Sequence, residues 1–170
     1  MKEKFLLDAN SFITPYQQYY AFDIVPTFWE ELSEQANSQR LILLDKVKDE
    51  INIGEDDLSA WLNKQTNFII YNHVSENIIE KYQEIMQYIQ NCGFYTNHAV
   101  HTWSLPLVAD PWLVAVAAVN KYTIITNEVS AGTLSRKNQS RNAKIPDVAK
   151  EFGVKTGNLF YMMRELGMKI

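Results

Sequence analysis

A chain of 170 residues with 46% hydrophobic residues is long enough for one complete core and too short for two ordinary domains, so residues 1–170 are expected to form a single domain. No apolar stretch approaches the ~20 residues of a membrane span, Met1-Lys2-Glu3-Lys4 leads straight into an apolar run without room for a signal peptide, and the lone Cys92 cannot close an internal disulfide; the chain reads as soluble, cytoplasmic and without a membrane partner. A net charge of −4 argues against nucleic-acid binding by bulk attraction, but residues 1–120 carry 7 basic and 16 acidic side chains while residues 121–170 carry 9 and 4.

Lys4 to Leu7 reads as a buried strand, and Asp8-Ala9-Asn10-Ser11 as a turn into a short helical or irregular segment through Tyr20. Val25, Phe28, Trp29 and Leu32 fall at helical spacing around Pro26 and predict an amphipathic helix to about Ala36. Leu41 to Leu44 is apolar on all sides, as a parallel strand covered on both faces must be. Asp45 after it is a candidate N-cap, which puts Glu50 in the second turn of the next helix. A further helix begins at Asp56-Asp57, and Phe68 to Tyr71 predicts a third strand. Ser75 to Gln90 is the strongest helix, its stripe of Ile78, Ile79, Tyr82, Ile85, Met86 and Ile89 assigned to core packing. Phe94 to Leu105 follows no plain period; its His98 and His101 lack carboxylate or thiolate neighbours in sequence and read, like His73, as surface or packing residues. Asp110-Pro111 before Trp112 to Val119 has the form of an N-cap, a proline at the first helical position and a buried helix. Tyr122 to Thr126 predicts a strand ending in Asn127-Glu128. Gly157 to Met168 forms a last helix with Leu159, Phe160, Met163 and Leu166 on one face, which closes the core or serves as a homodimer or partner-protein surface.

Short apolar runs alternating with helices predict an α/β fold of three layers, with a short parallel central sheet of four or five strands flanked by helices. In such a fold Asp8 opens into the crevice at the carboxyl ends of the strands, a βαβ unit brings Glu128 beside it, and Glu50 and Asp110 sit near the starts of neighbouring helices. Carboxylates gathered at one sheet edge raise one another's pKa unless a cation sits among them, and ligands of oxygen alone select a hard ion, Mg²⁺ or Mn²⁺, over zinc. Asp8 is expected as the central metal ligand with Asp110 and Glu128 beside it, and Glu50 across the crevice as an outer ligand or water-orienting base, a constellation suited to cutting a phosphodiester. Asn10, Ser11, Thr126 and Asn127 would orient those carboxylates or a substrate phosphate. Arg136, Lys137, Arg141 and Lys144, in a segment without acidic residues from Val129 to Pro146, either hold substrate phosphates or form a plain solvated loop. Asp110 as an N-cap and Glu50 as an ordinary helix glutamate have structural explanations; Asp8, charged and directly after a buried strand, needs a partner.

The runs FLLDANSF, VKDEI, ADPWLVAVAAVNKYTIITNE and IPDVAKEFGV, in that order, resemble PIN-domain ribonucleases. The resemblance extends from about Phe5 to Gly167 and narrows to a poorly characterised PIN-like subgroup that opens with LLDANSFI and carries an aromatic-rich segment like YYAFDIVPTFWEEL. It implies a Mg²⁺- or Mn²⁺-dependent endonuclease of RNA, often the toxin of a toxin–antitoxin pair with an antitoxin protein as partner. It also carries Asp8, Glu50, Asp110 and Glu128 into the acidic roles. The departure is Glu128, where the commoner PIN pattern reads Thr-Asn-Asp; the longer side chain would move or weaken a second metal.

Two other readings stay open. One is a catalytically degenerate PIN-like module that binds RNA or a protein. The other is a phosphatase or phosphotransferase with Asp8 as nucleophile, which Asn10 disfavours by standing where Asp-x-Asp enzymes keep a second aspartate, as does the lack of a glycine-rich loop among six glycines.

Overall fold

The structure, a computed structural model describing residues 2–170, is built on one parallel sheet of five short strands in the order β3-β2-β1-β4-β5. The strands are β1 (Phe5–Leu7), β2 (Leu41–Leu44), β3 (Ile69–Tyr71), β4 (Thr123–Ile125) and β5 (Thr156–Gly157). Successive residues of a strand point to opposite faces, and every residue of β1, β2 and β4 is buried, so both faces of the sheet are covered by helices and the fold has three layers. Leu6 stands opposite Ile42 on one side and Ile124 on the other. The edge strands β3 and β5 are short and less buried.

The helices are α1 (Asn10–Thr14), α2 (Pro26–Ala36), α3 (Asp45–Asn52), α4 (Asp57–Lys64), α5 (Glu76–Asn91), α6 (Asn97–Trp103), α7 (Asp110–Asn120), α8 (Ile145–Glu151) and α9 (Leu159–Leu166). The predicted stripe of α5 is inward-facing, with Ile78, Ile85 and Ile89 buried, and it packs against α7, whose residues from Leu113 to Ala117 are all buried. Among the described residues no helix is long and apolar enough to cross a membrane.

Several local expectations are sharpened or corrected. The segment through Tyr20, expected as a short helix or irregular, is helical: α1 runs into a π-helical turn, Pro15–Tyr19, closed by the Tyr20 N–H on Pro15 O (2.7 Å). Residues of the 94–105 stretch form α6, and the Thr156–Gly157 edge strand carries too few side chains to show a period. Neither Asp45 nor Asp110 caps its helix: Leu44 and Ala109 hold the cap positions, and Asp45 instead binds His73 Nδ1 (2.8 Å). On α9 the inner face holds Leu159, Met162 and Met163, while Phe160 is exposed.

Strand order sets where a crevice opens. The chain runs from β1 outward through β2 to β3, then returns by α5 to α7 to lay β4 on the other side of β1. The connections after β1 and β4 therefore leave in opposite directions, and the gap between their carboxyl ends is the switch point at which open α/β sheets bind ligands.

Candidate active site

Asp8 is the first residue past β1, and its surroundings hold it rigidly. Its N–H donates to Ile125 O of β4 (3.0 Å), and Ser11 Oγ donates to the same carbonyl (2.8 Å). The Ser11 hydroxyl is thereby committed to joining the start of α1 to β4, and it does not line the crevice as the sequence suggested. Thr126, one residue past β4, donates its hydroxyl to Asp8 Oδ2 (2.8 Å) and accepts the Glu128 N–H (3.0 Å). One threonine thus orients two of the four acids.

Asp8, Asn10, Glu50, Asp110 and Glu128 line a single cavity of about 530 Å³, walled on one side by Leu105, Pro106 and Leu107. That wall is tied to α3 by Lys46 Nζ, which donates to Pro106 O (2.8 Å). Asp8 is 4% exposed. Burial pushes its carboxyl up to about 6, with the charge of Glu128 adding to the rise and the Thr126 hydroxyl opposing it. Asp110, at the first position of α7, makes no capping hydrogen bond; burial, then the charges of Asp8, Glu128 and Glu50, push it up to about 7, against a smaller pull from Lys144. Glu50, in the second turn of α3, is also raised, by burial and then by Asp8. The structural role that the sequence offered Asp110 is absent, which leaves it as a half-buried acid facing other acids.

Glu128 differs from the other three. Its Oε1 accepts from Lys144 Nζ (2.9 Å) and its Oε2 from the Ile145 N–H (2.7 Å), so both oxygens are taken by protein donors. Consistent with that, no group of three His, Cys, Asp or Glu side chains among the described residues stands ready to close on a metal ion. The expected set of Asp8, Asp110 and Glu128 lines one cavity without converging as a preformed three-ligand cage. Asp8 and Asp110 still fit a divalent ion, as carboxylates in low-dielectric surroundings whose repulsion a cation removes.

Of the four basic residues singled out, only Lys144 lines an acidic cavity; Arg136, Lys137 and Arg141 are exposed elsewhere on the loop. Asn127 donates to Asn10 O (3.1 Å) and lines a neighbouring cleft of about 550 Å³ with Tyr19, Tyr20 and Phe160. His98 and His101 are exposed on α6. What sequence reasoning missed is the pairing of Glu128 with Lys144 and the 105–107 wall. No local signal marks either one, because both depend on how loops fold back over the sheet.

A family model described as a domain of unknown function, DUF4411, matches residues 5–170. The chain belongs to the DUF4411 family. No curated protein matches this DUF4411 chain. Its fold is similar to that of DNA-bound VapBC from Salmonella typhimurium, with a TM-score of 0.56 and 15% identity over 92% of this chain and 98% of that one. VapBC2 from Rickettsia felis, bound to a DNA fragment from its promoter, gives 0.54 and 12% identity over 91% and 97%. FitAB bound to an IR36 DNA fragment gives 0.53 and 16% over 92% and 95%. At such identities the likeness concerns architecture, and the architecture of this DUF4411 member is that of a PIN domain.

Proposed function

We propose that this protein is a divalent-metal-dependent endoribonuclease, the toxin of a toxin–antitoxin pair, that hydrolyses RNA phosphodiester bonds in the cavity lined by Asp8, Glu50, Asp110 and Glu128. The observation that carries the reading is the pair Asp8 and Asp110. Asp8 is buried and Asp110 half-buried at the switch point of a PIN-like sheet, they are pushed up to about 6 and about 7, and neither forms an ion pair among the described residues. Buried carboxylates in that state are costly unless a cation completes them. The acids supply only oxygen, which suits Mg²⁺ or Mn²⁺.

Asp8 and Asp110 would hold the ion. Bound there, it supplies Lewis-acid chemistry, lowering the pKa of a water and neutralising charge on the phosphate. Glu50 faces the same cavity, and its raised pKa makes it a better proton acceptor than an ordinary glutamate. It takes the proton of the attacking water as the new P–O bond forms and the bond to the leaving oxygen breaks. Thr126 keeps Asp8 in one rotamer. Asn10, exposed at the cavity, offers an amide to a phosphate oxygen, and Arg136, Lys137 and Arg141 attract the strand. The likeness to VapBC and FitAB complexes supports a protein partner, an antitoxin, and exposed Tyr19 and Phe160 give it apolar surface.

The test is thermal melting in chelator and in Mn²⁺. The wild-type chain should melt higher in Mn²⁺; Asp8→Asn and Asp110→Asn should lose that rise while melting no lower than wild type in chelator, since each removes one charge from an unneutralised cluster. The engaged Glu128 favours a second reading, a binding module without catalysis, and a wild-type melt indifferent to Mn²⁺ would select it.

A further inference from the structure

We propose that Lys144 is a built-in counter-cation: its ammonium holds the place at Glu128 that a second divalent ion would take, leaving Asp8 and Asp110 to bind a single ion. This rests on the metal-dependent reading above. The geometry at Glu128 carries it. One carboxylate oxygen accepts from the Lys144 ammonium and the other from the Ile145 N–H, at 2.9 Å and 2.7 Å. An ion claiming Glu128 as a ligand would have to displace a charge-assisted bond and a backbone bond together. Position adds to this. Lys144 and Asp110 line the same small cavity of about 170 Å³ with Glu128, so the ammonium shares one cavity with the acid it neutralises and with an acid left for the metal. It is the one basic side chain lining either acidic cavity among the described residues. The pair is also well supported, with Glu128 anchored at its own N–H by Thr126 and its side chain only 18% exposed.

Ion counting separates this role from a merely structural one. The metal-free full chain is titrated with MnCl₂ by calorimetry, and the ions bound per chain are counted. Wild type should bind one. Lys144→Met, which keeps the bulk and removes the charge, should bind two, and Lys144→Gln should give the same count should the methionine variant not fold. Lys144→Arg should return to one, and the double variant Lys144→Met, Glu128→Gln should also bind one, because the second ion in Lys144→Met uses Glu128. Two ions on the wild type, or one ion on both neutral variants, overturns the role of Lys144 and leaves the metal-dependent reading standing. No ion on any variant overturns both.

Discussion

Asp8 and Asp110 hold protons that the unfolded chain would release. Their ordinary value is 3.8, and in the fold they sit at about 6 and about 7. A folded pKa above the unfolded one means that the folded state binds the proton more tightly. The stabilisation is therefore complete below about pH 4 and is lost as pH rises through about 7. In chelator, then, Asp110→Asn should gain stability relative to wild type between pH 4.5 and 8, read from denaturant melts at several pH values; a difference that stays flat with pH would show that Asp110 has a partner. How far these residues were legible in the sequence follows from the physics of each. Asp8 could be read because a charge after three buried apolar residues has few explanations. Asp110 reads as an N-cap because Asp-Pro before an apolar helix has that form, and only the fold reveals that Ala109 takes the cap and Asp110 faces acids. The partner of Glu128 could not be read, since Lys144 lies sixteen positions away across a loop with no repeating pattern.

Among the elements, the loop between β4 and α8 was the least legible and has the most bearing on substrate. Its composition allowed a plain solvated segment, but the structure ties it down at both ends. Ser130 and the Ala131 N–H bind Asp147, and Ser140 accepts the Thr96 N–H (3.0 Å) while donating its own to Phe94 O (2.9 Å). Arg136 lies against Gly93, whose φ of +81° and lack of a Cβ let α5 end there; a Cβ would meet Arg136 Cγ at 2.9 Å. The loop thus presents Arg136, Lys137 and Arg141 outward from a fixed base. Neutralising those three together should raise the Michaelis constant for RNA and flatten its salt dependence, because fewer counterions are released, while turnover at saturation stays near wild type. Steady-state cleavage at two salt concentrations checks this; a collapse of turnover with affinity kept would make one of the three a catalytic electrophile. Long periodic or uniformly apolar elements, such as α5, β2 and α7, were legible because burial dictates their side chains position by position. The π-helical turn, α6 and β5 were not, being short segments whose conformation is imposed by their neighbours.

For the whole molecule, the strand order β3-β2-β1-β4-β5 does the positioning: it makes β1 and β4 neighbours with diverging connections, so acids from distant parts of the chain meet at one crevice. The same architecture recurs in chains of VapBC and FitAB complexes. The most direct test is cleavage of a fluorescent single-stranded RNA by the purified chain, with Mn²⁺ or with chelator, alongside Asp8→Asn. The account predicts internal cleavage in Mn²⁺, none in chelator, and a rate at least about 100-fold lower for Asp8→Asn at the same Mn²⁺ concentration. Cleavage that survives the chelator, or that Asp8→Asn carries out at the wild-type rate, would contradict it.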